Sequence, residues 1–153
     1  MKSPVYHYDY FWDPSGNVCT CVITYDGREF MGTATCHPND KDVRSHFTGE
    51  NIASNRAFIK TVQYIKNNDI DKPLNLLTNL YKNMATSHRF NPKSFEAKQL
   101  YREIKEYQKA QEVAKETIAS IKAELKQYID DKDKAAQLYR IRQQQKAENE
   151  QKE

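Results

Sequence analysis

The sequence predicts an α+β fold: a three-stranded antiparallel β-meander packed on helices, followed by a long coiled-coil-like C-terminal helix. Two patterns indicate this class. Residues 4–36 alternate between the two faces of short strands and are divided by turn sequences, as in an antiparallel meander. From Phe95 to about Asp131, apolar residues recur at alternating intervals of four and three, which is the period of a helix with one seam facing a partner.

The strands are predicted at residues 4–12, Val18–Tyr25 and Arg28–Cys36. A turn at Asp13–Asn17 separates the first two strands, since proline presets φ and glycine accepts the left-handed conformation. The dipeptide Asp26-Gly27 is typical of a type I′ hairpin turn and joins the second strand to the third. The small residues Gly32 and Ala34 indicate that a helix packs closely against the third strand.

Two helices are predicted between the meander and the long helix. The first runs from about Glu50 to Asn67 and is expected to stop at Asp69–Pro73, because proline cannot donate the hydrogen bond that continues a helix. The second helix is amphipathic, with an apolar stripe formed by Leu74, Leu77, Leu80 and Met84. The long helix then starts at the pair Asn91-Pro92, which matches its N-cap and its first position.

These elements divide the chain into three predicted regions. Residues 1–90 form a head of order β-β-β-α-α, residues 91–133 a helical stalk, and residues 134–153 a polar, partly frayed helical tail. The hydrophobic fraction of 38% and the charged fraction of 29% argue against both wholesale disorder and a membrane protein. No window approaches ~18 uninterrupted apolar residues, so we expect no membrane partner and a cytoplasmic location.

The charge distribution argues against broad binding to duplex nucleic acid. The net charge is +3, with seven Lys and Arg against eight Asp and Glu in residues 1–70, and seventeen against thirteen in the remainder. Neither part is basic enough to neutralise a phosphate backbone over a long contact.

The cysteines suggest a metal site at first sight. Cys19 and Cys21 lie on one face of the second strand, and Cys36-His37 lies at the end of the third, so that together they would supply a Cys₃His set. Structural zinc ligands normally come from a knuckle rather than from the middle of a strand, so we interpret these thiols as small buried side chains. The chain also lacks a nucleophile elbow, a glycine-rich phosphate loop and a metal-binding helix motif. The sequence therefore predicts no catalytic residue, no metal and no cofactor.

The long helix is expected to pair chains. Its apolar seam needs a partner, because lysine, glutamate and glutamine fill the other faces. The preceding helix is an alternative partner but is too short to cover the whole seam, and Gln111 within the seam is a candidate for setting the register of two chains. We therefore predict a homo-oligomer, at least a dimer, with an interface formed by Leu100, Ile104, Tyr107, Gln111, Ala114, Ile118, Ile121, Leu125 and Tyr128.

A few cationic residues of the head suggest a site for phosphate. Arg28 opens the third strand and Arg44 lies in the polar loop after it, while Arg56 and Lys60 are one helical turn apart. A helical pair at this spacing shares a face, on which a guanidinium fork and an ammonium can hold a phosphate. The alternative for each residue is a solvated helix face paired with nearby carboxylates.

The loop before the stalk suggests a site for a nucleobase. Arg89, Phe90 and Asn91 combine a guanidinium, a ring that can stack on a base and an amide that can read its edge. Tyr101 and Arg102, in the first turns of the stalk, are expected to face the same region. The alternative is that Phe90 is a plug that covers the end of the core.

Two segments carry a resemblance to known proteins. The run from Tyr25 to Asp42 and the run from Gly49 to Ala57 look like the heads of small proteins from phages of Gram-positive bacteria. Their outline is also similar to a double-stranded-RNA-binding fold, but Thr48–Asn51 lacks the lysine cluster with which that fold binds RNA. With a small β head and a long C-terminal helix, residues 17–130 resemble the anti-Thoeris sponge family.

This resemblance implies a phage anti-defence protein that binds and sequesters a cyclic nucleotide immune signal, of the cyclic ADP-ribose type, without catalysis in the host bacterial cytoplasm. It places Cys19 and Arg28 in the pocket wall, Phe90 and Asn91 on the adenine, and a stalk arginine on phosphate. One alternative is an anti-CRISPR-like inhibitor that blocks a bacterial defence nuclease by direct protein–protein contact. Another is a nucleic-acid-binding module.

Overall fold

The computed structural model describes residues 7–35 and 46–152 and confirms the α+β class. Within these ranges, three strands form one sheet and three α-helices follow, of which the last is long, as the sequence predicts. The elements are β1 His7–Trp12, β2 Val18–Tyr25, β3 Arg28–Thr35, α1 His46–Ile65, a π-helical segment Lys66–Asp71, α2 Lys72–Ala85 and α3 Phe95–Gln151.

The sheet is an antiparallel meander in the order β1-β2-β3. Tyr10 pairs with Cys21 and Cys21 with Gly32, so these side-chain positions share one face of the sheet. Asp26 and Gly27 have φ angles of 52° and 71°, which are the two positive values that a type I′ turn requires. The hairpin predicted at this dipeptide is therefore confirmed.

One face of the sheet packs on α1 to form the first core. Gly32 lies directly against the backbone of α1, because a Cβ atom there would collide with the backbone oxygen of Ala53 and the backbone nitrogen of Ala57. This confirms the prediction that small residues on β3 admit a helix. The buried members of this core are Cys19, Cys21, Ile23, Ala34, Ala53 and Ala57.

The predicted break at Asp69–Pro73 is wrong, because the chain stays helical from α1 into α2. The Lys72 N–H donates to the carbonyl of Asn67, five residues earlier, which is the hydrogen-bond pattern of a π-helix. Pro73 then falls in the first turn of α2, the part of a helix in which proline is tolerated. The side chain of Asp71 accepts from Lys66 Nζ at 2.8 Å and from Gln111 Nε2 at 2.8 Å.

A second core joins α2 to the first turns of α3. Leu74 is buried with Leu100 and Ile104, and Leu77, Tyr81 and Met84 pack around them. Leu80 was predicted in this stripe but is 51% exposed, since Tyr81 takes the position that faces the core. The rest of the predicted stripe of α2 is confirmed.

The start of α3 differs from the prediction. Ser94 caps the helix, because its hydroxyl accepts from the Ala97 N–H at 3.3 Å and its carbonyl accepts from the Lys98 N–H at 3.1 Å. Asn91 instead shapes the preceding turn, so the predicted cap at Asn91-Pro92 is wrong. At the other end, α3 continues to Gln151, so the tail is helical, and its partial fraying stays a prediction.

The chain forms two compact units that do not coincide with the predicted head, stalk and tail. One unit is Met1–Lys60 with Ile121–Glu153, and the other is Thr61–Ser120. The first contains the sheet, and the second contains the core between α2 and the start of α3. Among the helices of residues 46–152, none is both long and apolar enough to cross a membrane.

Candidate functional site

The clearest candidate site is an open groove in the unit Thr61–Ser120, at the connection between α2 and α3. Its volume is about 350 Å³. Three of the residues predicted to bind a ligand, Arg89, Phe90 and Asn91, line it together. The described lining is completed by Met84, Ser87, Ser94 and Glu96. We call this site the Phe90 groove.

Backbone hydrogen bonds fix the shape of the connection. The Phe90 N–H donates to the carbonyl of Ser87 at 3.1 Å, and the Arg89 N–H donates to the hydroxyl of Ser87 at 3.3 Å. The side-chain oxygen of Asn91 accepts from the Lys93 N–H at 3.0 Å. Because its oxygen is used by the turn, Asn91 presents its NH₂ group, a double donor, as the part able to contact a ligand.

Phe90 both packs and lines the groove. Its ring meets that of Tyr81 edge to face, with centroids 5.8 Å apart and planes at 83°. Tyr81 also lies 6.3 Å from the ring of Tyr101, and the ammonium of Lys105 lies 5.2 Å from the Tyr101 centroid. The ring of Phe90 is thus held against the second core as a plug, yet it remains part of the groove wall.

The groove combines charged, apolar and polar side chains. Arg89 and Glu96 are its charged residues among those described, and Met84 and Phe90 supply its apolar surface. The hydroxyl oxygens of Ser87 and Ser94 accept backbone hydrogen bonds, which places them in the turn and the helix cap. The arrangement can stack a flat ring, pair with an anion and hydrogen-bond a donor.

The other predicted ligand residues that the structure describes do not line this groove. Tyr101 and Arg102 are exposed on α3, and Tyr101 approaches the groove only through its contact with Tyr81. Arg28 and Lys60 are exposed and belong to the unit that contains the sheet. Arg44 lies outside the described residues. The predicted set is therefore divided between the two units.

Arg56 has a structural partner. Its Nη1 donates to the carbonyl oxygen of Thr33 on β3 at 2.7 Å. Since β3 is an edge strand, this bond satisfies a carbonyl group of the sheet from the side of α1. A phosphate at Arg56 would have to compete with this contact.

Cys19 does not fit the ligand-binding role that the family resemblance implies. Its side chain and that of Cys21 are fully buried beneath α1, and burial raises the pKa of both thiols. This confirms the interpretation of both residues as small core side chains. Cys36 and His37 lie outside the described residues, and within the described ranges no three His, Cys, Asp or Glu residues are grouped as metal ligands would be.

The seam of α3 is largely covered within one chain. Gln111, the proposed register residue, donates to the carboxylate of Asp71 at 2.8 Å in the same chain. Tyr107, Ile121 and Tyr128 are half-buried. Self-association through this seam stays a prediction, but burial of the seam does not require it. Five positions of the predicted interface are each at most 9% exposed: Leu100, Ile104, Ala114, Ile118 and Leu125.

Sequence reasoning missed four residues of the groove. The sequence places Met84 in a core stripe and Ser87 in the loop, and so indicates neither as a groove residue. Ser94 and Glu96 are absent from the predicted site because the sequence predicts the start of the helix at Asn91-Pro92, whereas the observed cap is Ser94. The available signal was the serine directly before an apolar-periodic segment, with an acidic residue in the first turn.

Comparison of this chain with protein-family models, with curated proteins and with solved structures finds no match.

Proposed function

We propose that this protein binds and sequesters a cyclic nucleotide immune signal of the cyclic ADP-ribose type without catalysis, as a phage anti-defence protein in the host bacterial cytoplasm. The observation that carries the proposal is that Arg89, Phe90 and Asn91 line one groove. The base would lie on the ring of Phe90, the amide of Asn91 would contact its edge, and the guanidinium of Arg89 would hold a phosphate. The phage context rests on the resemblance of residues 17–130 to the sponge family.

The size and rigidity of the groove suit a nucleotide. Its volume of about 350 Å³ falls at the lower end of the range typical of small-molecule sites. Stacking of a base on an aromatic side chain contributes roughly 1–3 kcal/mol. Because Tyr81 already fixes the ring of Phe90, little side-chain entropy is lost when a ligand stacks on it.

If the protein sequesters a ligand, that ligand should stabilise the folded state. A ligand that binds only the folded state raises its stability by about 2.7 kcal/mol when its concentration is 100 times Kd. A panel of cyclic nucleotides and ADP-ribose derivatives should therefore contain a compound that raises Tm at micromolar concentration. That compound should be recovered chemically unchanged after the protein is denatured.

Phe90→Leu should weaken binding of the active compound by about tenfold or more, because leucine keeps apolar packing on Tyr81 but removes the stacking surface. Affinity is measured by isothermal titration calorimetry. The matched control is Phe95→Leu, since Phe95 is 77% exposed and does not line the groove. Equal affinities of wild-type protein and Phe90→Leu would contradict the proposed site.

A second candidate function is direct contact with a bacterial defence nuclease through the open face of the sheet. On the face opposite α1, Phe11 and Met31 are 56% and 51% exposed. Asp9 pairs with Val22 and Val22 with Met31, so an acidic residue borders this apolar surface. No residue that the structure describes on this face is Lys or Arg. A nuclease presents a basic surface to its nucleic acid, and this acidic, apolar face complements it.

Met31→Lys is expected to abolish inhibition if the protein acts on a nuclease, because it places a cation against a basic partner surface. The measurement is cleavage by the purified nuclease as the protein is added up to a fixed stoichiometry. Leu76→Lys is the matched control, since Leu76 is 71% exposed on α2. Binding to RNA or DNA that falls steeply with salt would favour a nucleic-acid-binding module instead.

A further inference from the structure

The groove contains a carboxylate that the proposed base and phosphate contacts do not use. Glu96 lies in the first turn of α3 and lines the same groove as Phe90 and Asn91. Within the described part of the chain, its side chain forms no ion pair or hydrogen bond with another residue. An ionised carboxylate only accepts hydrogen bonds, so the part of a ligand that it contacts must donate them.

Glu96 and Arg89 carry opposite charges, which favours one orientation of a nucleotide in the groove. A phosphate is repelled by Glu96 and attracted by Arg89, so it takes the Arg89 side of the groove. The base has its stacking surface on Phe90. Two kinds of donor remain for Glu96, the exocyclic amino group of an adenine and the hydroxyl groups of the ribose. The ribose links base and phosphate, and carboxylates bind its hydroxyls in other nucleotide sites, so the hydroxyls are the preferred partners.

We propose that Glu96 recognises the ribose hydroxyls of the ligand, so that the Phe90 groove selects ribonucleotides over deoxyribonucleotides. The inference rests on the proposed nucleotide-binding function and assigns a specificity to it. The competing explanation is purely structural, since an acidic residue in a first turn interacts favourably with the helix dipole. A structural role would alter stability slightly and would leave the preference between sugars unchanged.

The expected ratio of the affinities for a ribonucleotide and its deoxy analogue follows from the strength of one hydrogen bond to a charged group. Hydrogen bonds to charged groups are among the stronger ones in proteins, and an open groove weakens them by admitting water. We therefore expect a ribonucleotide to bind about tenfold more tightly than its 2′-deoxy analogue. Glu96→Ala should reduce this ratio to about one, chiefly by weakening the binding of the ribonucleotide.

The test is calorimetric titration of the full chain with adenosine 5′-monophosphate and with 2′-deoxyadenosine 5′-monophosphate, with cyclic ADP-ribose as a third probe. Glu106→Ala is the matched control, because Glu106 is an exposed glutamate on the same helix outside the groove. A ratio that collapses in Glu96→Ala and persists in Glu106→Ala supports the assignment. Thermal melting of both variants checks that they fold.

The remaining outcomes separate the inference from the proposed function. If none of the three compounds binds the wild-type protein, the proposed nucleotide-binding function fails and the inference fails with it. If the wild-type protein binds ribose and deoxyribose forms equally, the inference is overturned while nucleotide capture stands. A ratio that survives in Glu96→Ala overturns the role of Glu96, because another group must then read the sugar.

Discussion

Gly32→Ala should lower the free energy of unfolding by about 3 kcal/mol, the upper end of the usual range for overpacking. The added Cβ would collide with the backbone of α1, at the carbonyl oxygen of Ala53 and the amide nitrogen of Ala57, and would lie 2.9 Å from the carbonyl carbon of Arg56. Backbone atoms of a helix cannot swing aside as the end of a flexible side chain can. Relief therefore requires α1 to move off the sheet, which exposes the first core.

Urea denaturation measures this loss, and a second glycine provides the control. Gly27→Ala also adds one methyl group, but nothing lies within 4 Å of the new Cβ, and only the φ of +71° opposes it. Its expected cost is about 1–2 kcal/mol, from the left-handed conformation alone. If Gly32→Ala is no more destabilising than Gly27→Ala, then α1 does not approach β3 as closely as the structure places it.

The sheet was predictable because its signals are local. The turn at Asp26-Gly27 requires two positive φ angles, and few dipeptides adopt them without strain. The bounds of β2 follow from this turn and from the one before it, and both are confirmed. Gly32 was informative because a glycine within a strand usually marks the close approach of another backbone.

The helices were harder to predict because their bounds depend on distant contacts. A proline at position 73 favours the end of a helix when only the neighbouring residues are considered. In the structure, however, a wider π-helical turn precedes it and the helix continues. That turn is supported by Asp71, which accepts hydrogen bonds from Lys66 and from Gln111 on α3, 40 residues away in the sequence. The hydrogen bond from Lys66, together with that from Gln111, lowers the pKa of the Asp71 carboxyl. No pattern in residues 66–73 reveals such a partner.

The residues of the candidate site also differ in whether they could be predicted from local sequence or depend on distant contacts. Arg89, Phe90 and Asn91 were predicted together because they are adjacent in the sequence, and a single turn holds them in one groove. Glu96 joins them only because Ser94 starts the helix, and the sequence offered Asn91-Pro92 as an equally good start. Arg56 was predicted on a plausible helix face, but its carbonyl partner on β3 depends on the packing of α1 on the sheet.

Ile118→Asp should unfold the chain rather than only separate subunits. Ile118 is 7% exposed within a single chain, so the substitution removes a buried side chain and places a carboxylate in its position. Truncation of a buried isoleucine alone costs about 2–5 kcal/mol, and an unpaired buried charge adds to this. The total is comparable to the whole stability of a small domain, so helical circular dichroism and cooperative melting should be lost together.

Val113→Asp is the matched control, because Val113 lies on the same helix, has a similar side chain and is 55% exposed. This variant should keep the wild-type Tm to within a few degrees. Sedimentation velocity on the wild-type protein and both variants then shows whether the seam is buried within one chain or by a second subunit. If Ile118→Asp sediments as a folded monomer while the wild-type protein sediments as a dimer, a second subunit buries the seam. If Ile118→Asp loses its fold and the wild-type protein sediments as a monomer, the chain buries the seam itself.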